Sequence, residues 1–213
     1  MAIPLRLRWA FGLTLAAFVI VVPVLRYRAV FDHGRRLREV HEGVLYRSGC
    51  LTVGGFADAV VRYRIKTIVN LQDEFPDPAI RNSYLDKSTT SEIELCKKLG
   101  VKYVFLAPDL ISRQKIDTQR PKAIDQFLAI MDDPSNYPVL IHCKAGLHRT
   151  GVMTAVYRME YQGWSPAAAL YEVKANGFGE FAASSANDYI VQYVTAYTPG
   201  KRLPVTAAAG SGE

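Results

Sequence analysis

One stretch constrains this chain more than any other. The apolar run YPVLI (137–141) leads directly into HCKAGLHRTG (142–151), and residues 150–162 read as a helix that stops at Gly163. An apolar run of this length reads as a buried strand, and a loop between such a strand and a helix lies at the carboxyl edge of an open α/β sheet, where ligands bind. A loop of this length can turn several backbone N–H groups toward one point. The helix amino terminus adds partial positive charge, which makes a cradle for an anion. Gly146 allows the turn such a loop needs.

The remaining chain repeats the strand and helix alternation. GVLYRS (43–48), IKTIVNL (65–71) and VKYVFLA (101–107) have the composition and length of strands. Thr52 can cap a helix through about Tyr63, and Ser91 and Glu94 have capping-box spacing ahead of a helix over 92–99 that Gly100 can end. Thr118 or Asp117 can cap a helix to about Met131, and Pro76 and Pro78 break regular structure after the second strand. Ser165-Pro166 opens a helix over 166–175, and another is expected over 185–197. The fold class this predicts is α/β, a central mostly parallel sheet flanked by helices.

Charge and hydropathy divide the chain further. Of a formal charge of +6, residues 1–40 carry +5, so the basic character describes one flank and not a nucleic-acid surface. From Trp9 to Leu25 no residue is charged, with Arg6 and Arg8 before and Arg26 and Arg28 after. That run is about the shortest able to span a bilayer, and it reads as one transmembrane helix ahead of the catalytic domain. A cleaved secretory signal is the rival, but VVPVLR at 21–26 lacks a small-x-small cleavage site. The excess of arginine on the downstream flank places the soluble part in the cytoplasm by the positive-inside rule. The expected organisation is an anchor at 1–28, a basic stalk at 29–40, a catalytic domain at 41–197 and a disordered tail at 198–213.

Chemistry concentrates in the loop. The backbone amides and the guanidinium of Arg149 favour the thiolate of Cys143, the nucleophilic form. Arg149, six residues on, offers a planar fork that matches two phosphate oxygens. Thr150 can donate its hydroxyl to the cysteine sulfur, and His142 can fix the loop through ring hydrogen bonds. Cys50 and Cys96 have no such setting and read as structural thiols, either of which could protect Cys143 as a disulfide partner. The three cysteines lack the close pairs of a zinc site, and a cysteine nucleophile aimed at a phosphate needs no metal or organic cofactor. Arg47 and Arg81 read as ordinary surface charges unless the fold brings them near the phosphate.

HCKAGLHRTG resembles the HCxxGxxR(S/T)G signature of the protein tyrosine phosphatase superfamily, on its dual-specificity side. YRSG (46–49) and IKTIVNLQDE (65–74) further resemble the small atypical dual-specificity phosphatases of bacteria, fungi and plants. The resemblance covers about residues 41–197. It implies the cysteine-dependent phosphatase fold, Cys143 as nucleophile, Arg149 as phosphate clamp, and Lys144, Ala145, Gly146, Leu147, His148 and Arg149 as the phosphate-binding loop. It also implies an aspartate acid some thirty residues upstream, for which Asp109 in LAPDL is the choice; Asp117, Asp73 and Glu74 remain alternatives. Leu147 stands where inositol-lipid phosphatases carry a second lysine, although Lys144 still favours polyanionic substrates. His148 resembles the GKHRTG form of the atypical group, some of which hydrolyse inositol pyrophosphates.

The expected activity is hydrolysis of phosphate monoesters through a phosphocysteine, on phosphotyrosine or phosphoserine/threonine proteins or on phosphoinositol compounds. Two other classes compete: a pseudophosphatase that holds a phosphorylated partner at the membrane, and a rhodanese-like sulfur transferase. Intact Cys143 and Arg149 oppose the first, and the Arg-Thr-Gly ending opposes the second.

Overall fold

The computed structural model describes residues 4–28, 34–72, 75–83, 85–106, 121–178 and 188–201. Seven strands and seven α-helices occur among them, with a short 3-10 helix at Pro134–Asn136. They are α1 (Leu5–Arg28), β1 (Arg38–His41), β2 (Leu45–Gly49), α2 (Val53–Tyr63), β3 (Thr67–Asn70), β4 (Ala79–Arg81), β5 (Thr89–Ser91), α3 (Glu92–Leu99), β6 (Lys102–Phe105), α4 (Lys122–Met131), β7 (Val139–Cys143), α5 (His148–Gln162), α6 (Pro166–Ala175) and α7 (Asp188–Ala196).

Five strands form one sheet in the order β1-β2-β7-β3-β6. β2, β7, β3 and β6 run parallel, and β1 closes one edge antiparallel to β2. The mostly parallel sheet follows from the sequence alternation. The β4-β5 hairpin, in the segment after Pro76 and Pro78, does not.

Because side chains alternate across a strand, the sheet has two apolar faces, each covered by helices. Leu45, Val69, Val139 and Ile141 pack with α4, α5, α6 and α7, including Phe127, Leu128, Met153 and Val194. Tyr46, Ile68 and Leu140 face the other way, against Phe56 of α2 and Leu95 of α3. α5 lies deep in the first cluster, buried along most of its length.

Local signals set the helix ends. Thr52 Oγ1 accepts from Gly55 N at 3.1 Å, Ser91 Oγ from Glu94 N at 3.2 Å and Ser165 Oγ from Ala168 N at 3.2 Å, each satisfying an amide the first turn leaves unpaired. The expected caps Asp117 and Thr118 lie outside the described residues, and α4 begins after Pro121.

The basic stretch read as a stalk differs from expectation. Arg38–His41 is a strand of the sheet, and Gly49 N donates to Arg35 O at 2.7 Å, so residues 35–41 pack onto the α/β domain instead of standing apart from it. Upstream, α1 carries a 22-residue segment, Arg6–Tyr27, of mean hydropathy 2.0, long and apolar enough to cross a membrane. Its large side chains are uncovered: Trp9 is 66% exposed and Phe11 72%.

Candidate active site

Parallel pairing of β2 with β7 sets Gly49 opposite Cys143, so the chain leaving β2 runs beside the chain leaving β7. Cys143 ends its strand and is 4% exposed. The loop then doubles back, and Gly146 N–H points at Cys143 Sγ at 3.3 Å. Gly146 has φ +73°, and a Cβ there would lie 2.5 Å from Gly49 N and 2.6 Å from Ser48 C. Both the backbone angle and the space require glycine. The same close approach fixes Gly49, where a Cβ would meet Arg35 Cγ at 2.9 Å and Ala145 C at 3.1 Å.

The outer side of the loop is hydrogen-bonded at three successive carbonyls. Cys50 N–H donates to Lys144 O at 3.2 Å, Arg36 Nη1 to Ala145 O at 3.1 Å and Arg47 Nη2 to Gly146 O at 2.9 Å. Arg47 is therefore not a surface charge: it is 4% exposed and sits against the loop. Burial pushes its guanidinium down to about 10, with Glu172 and Cys143 acting the other way, so it stays charged at neutral pH.

His142 is fully buried, and its Nε2 meets Glu92 Oε1, also fully buried, at 2.6 Å. The ring thus ties the base of the loop to the first residue of α3, and Phe56 lies edge-on 5.3 Å away. Glu92 Oε2 and His142 Nδ1 have no hydrogen-bond partner among the described residues.

α5 starts at His148 and places Arg149 in its first turn, half-buried, with Leu147 buried just before it. Lys144 is exposed. His148 packs edge-on to Phe178 at 5.5 Å, and partial burial, then the neighbouring Arg149, hold its imidazole below the usual value. Thr150 is buried, and its Oγ1 has no hydrogen-bond partner among the described residues, so the expected bond to the cysteine sulfur is not formed here. Burial pushes the thiols of Cys50 and Cys96 up to about 12, which suits structural roles.

Beside the loop lies a cavity of about 660 Å³. Arg35, Arg36, Arg81 and Lys144 line it together with Cys50 and Gln72, and its described lining has no acidic side chain. Arg81 gains a position here that its sequence context does not suggest. Asp109, Asp117, Asp73 and Glu74, the candidate acids, lie outside the described residues.

Sequence reasoning missed Arg36, Arg47 and Glu92. Arg47 sits inside the YRSG motif, so a signal existed; Arg36 and Glu92 reach the loop only through tertiary folding, 109 and 50 residues from their partners.

With this geometry the chain has clear relatives. Residues 23–188 match the family described as DSP-PTPase phosphatase fused to NAD+ kinase. The tyrosine-protein phosphatase-like protein OCA2 of Saccharomyces cerevisiae is 24% identical over 170 residues, 78% of this chain and 74% of that protein. The dual specificity protein phosphatase TpbA of Pseudomonas aeruginosa is 54% identical over 43 residues, one fifth of each chain. The core catalytic domain of the PP-IP phosphatase SIW14 of S. cerevisiae superposes with a TM-score of 0.56 at 23% identity, over 78% of this chain and 87% of that one, which places the fold.

Proposed function

Since the chain belongs to the DSP-PTPase phosphatase family, we propose that it hydrolyses phosphate monoesters through a phosphocysteine formed on Cys143, with a polyphosphorylated small molecule of the phosphoinositol type as preferred substrate. The observation that carries the nucleophile is Gly146 N–H aimed at Cys143 Sγ at 3.3 Å within a loop that opens a buried helix. In the first step the Cys143 thiolate attacks phosphorus, the P–O bond to the leaving group breaks, and an acid, assigned to Asp109, protonates the departing oxygen. In the second, water attacks the phosphocysteine, the same carboxylate takes its proton, and the S–P bond breaks to release phosphate and restore the thiolate. The amides of residues 144–149 and the fork of Arg149 hold the equatorial oxygens through both steps. His142, paired with Glu92, supports the base of the loop.

The cationic cavity favours a substrate with several phosphates over a single phosphorylated side chain, because four positive side chains beside the cradle would meet one charge group in a phosphopeptide and several in a polyphosphate. The relative SIW14 is named a PP-IP phosphatase and TpbA a dual specificity protein phosphatase, so both classes belong in the assay. α1 serves as a membrane anchor in this reading, with the catalytic domain on the cytoplasmic side, supported by its exposed apolar surface and the arginines that follow it.

The test is phosphate release by the full chain in detergent on phosphotyrosine, phosphothreonine, phosphoinositide and inositol pyrophosphate substrates, with Cys143→Ser alongside. Release that is lost in Cys143→Ser while oxyanion binding persists is expected. Equal turnover in that variant would sink the covalent route, and faster release from phosphopeptides than from polyphosphates would reverse the substrate preference.

A further inference from the structure

The peptide unit joining Ala145 to Gly146 is held from both edges. Arg36 Nη1 donates to its carbonyl oxygen at 3.1 Å, and its N–H points at Cys143 Sγ at 3.3 Å. A trans peptide is planar, with C=O and N–H directed oppositely, so a donor that fixes the oxygen outward also fixes the hydrogen inward. The units on either side are treated alike: Lys144 O accepts from Cys50 N–H and Gly146 O from Arg47 Nη2. The amides of Ala145 and Leu147 belong to those units and face away from the bonded carbonyls.

We infer that Arg36 and Arg47 are positioning residues that hold the Ala145 and Gly146 carbonyls outward and thereby keep the loop's amides aimed at the sulfur and the bound phosphate. The inference rests on the reading of residues 144–149 as the phosphate cradle. A carbonyl turned inward would set a partial negative charge against both the thiolate and the phosphate dianion. A loop containing a glycine at φ +73° has the backbone freedom to make such a turn. The two guanidiniums oppose it with charge-assisted hydrogen bonds, and Arg47 does so from a buried site where losing the bond would strand its donors.

Arg36 approaches from outside the parallel sheet core. Its segment is clasped to the end of β2 by Gly49 N donating to Arg35 O at 2.7 Å and by Arg35 Nη1 donating to Cys50 O at 3.0 Å. Cys50 in turn holds Lys144 O. Residues 35 and 36 therefore form a clasp that reaches the nucleophile's loop from the stretch between α1 and the domain. The orientation of the cradle then depends on residues that chain order alone assigns to a linker.

Arg36 supplies the decisive variant, since Arg47 is buried and its truncation endangers folding. Tungstate affinity by calorimetry, kcat and KM for a small aryl phosphate, and melting temperature are measured on the full chain in detergent, for wild type, Arg36→Met and Arg36→Lys. Arg36→Met is expected to weaken tungstate binding about tenfold, the effect of one charge-assisted hydrogen bond, with kcat/KM falling in step and little change in melting temperature. Arg36→Lys, which can still donate to Ala145 O, recovers most of the loss. The defect persists at ~1 M salt, where attraction through space is screened within roughly 3 Å. Unchanged tungstate affinity in Arg36→Met, or a defect that disappears at high salt, overturns the inference while leaving the cradle standing. Wild-type protein that binds no tungstate overturns the cradle and the inference with it.

Discussion

The phosphate loop at 143–149 and the segment at 35–50 lie against each other, and both are rich in cations, yet they direct that charge differently. Lys144 is exposed and lines the cavity, and Arg149 stands at the first turn of α5. Arg35, Arg36 and Arg47 each give a guanidinium nitrogen to a backbone carbonyl, of Cys50, Ala145 and Gly146 respectively. Arg35 and Arg36 do both, since they line the cavity and also hold the backbone of the loop and its neighbour, whereas Arg47 is buried behind the loop.

The largest effect is expected where the loop alone acts. Arg149→Lys keeps the charge but loses the planar fork that matches two phosphate oxygens, so kcat/KM should fall by roughly 100- to 1,000-fold with little change in stability. Steady-state kinetics beside a melting curve check it. A loss under about tenfold would mean that charge, not geometry, is what the loop supplies at that position, and the contrast with the bracing arginines would weaken.

The next effect tests the contact between the two regions. Gly146→Ala places a methyl against Gly49 N and Ser48 C at a backbone angle that disfavours it. It should cost about 3 kcal/mol of stability and most of the oxyanion binding, because the loop must withdraw from β2 to make room. A denaturant midpoint close to that of wild type would show that the loop keeps its shape without the brace.

These two residues also mark how far the sequence could be read. Strand, loop and helix around Cys143 were legible because each rests on a local signal: an apolar run, a signature with fixed spacing, a glycine stop after Gln162. The caps at Thr52, Ser91 and Ser165 were legible for the same reason. Arg36 and Glu92 were not, since nothing in their neighbourhoods encodes the parallel register that brings them to the loop. Arg47 was misassigned because a charged residue within a strand looks exposed until the sheet has helices on both faces. The choice of acid between Asp109 and the alternatives Asp117, Asp73 and Glu74 rests on the sequence alone, since all four lie outside the described residues.

A smaller effect comes from the second brace. Glu92→Ala strands His142 Nε2 in a site fully closed to water, a loss of about 2 kcal/mol, since an unpaired buried donor keeps its desolvation cost. Chemical denaturation measures it, with Glu92→Gln expected to recover part of the loss by hydrogen bonding alone. If Glu92→Ala lowers kcat/KM no more than its stability loss explains, then Arg36 and Arg47 shape the loop while Glu92 only supports the strand beneath it.

The smallest effect separates the two regions by pH. Arg47, at about 10, keeps its proton across the neutral range, whereas His148 at the loop's end is held below its ordinary value by burial and Arg149. A histidine with a lowered folded value binds fewer protons folded than unfolded. Its contribution is neutral above the unfolded value of about 6.5, and stability is lost as pH falls below it. Wild type should therefore lose slightly more melting temperature between about pH 7.5 and about pH 5.5 than His148→Gln does, by about a degree, because the side chain is exposed and solvent screens it. Parallel curves for the two proteins would remove the loop's share of acid sensitivity and assign it to groups elsewhere in the domain.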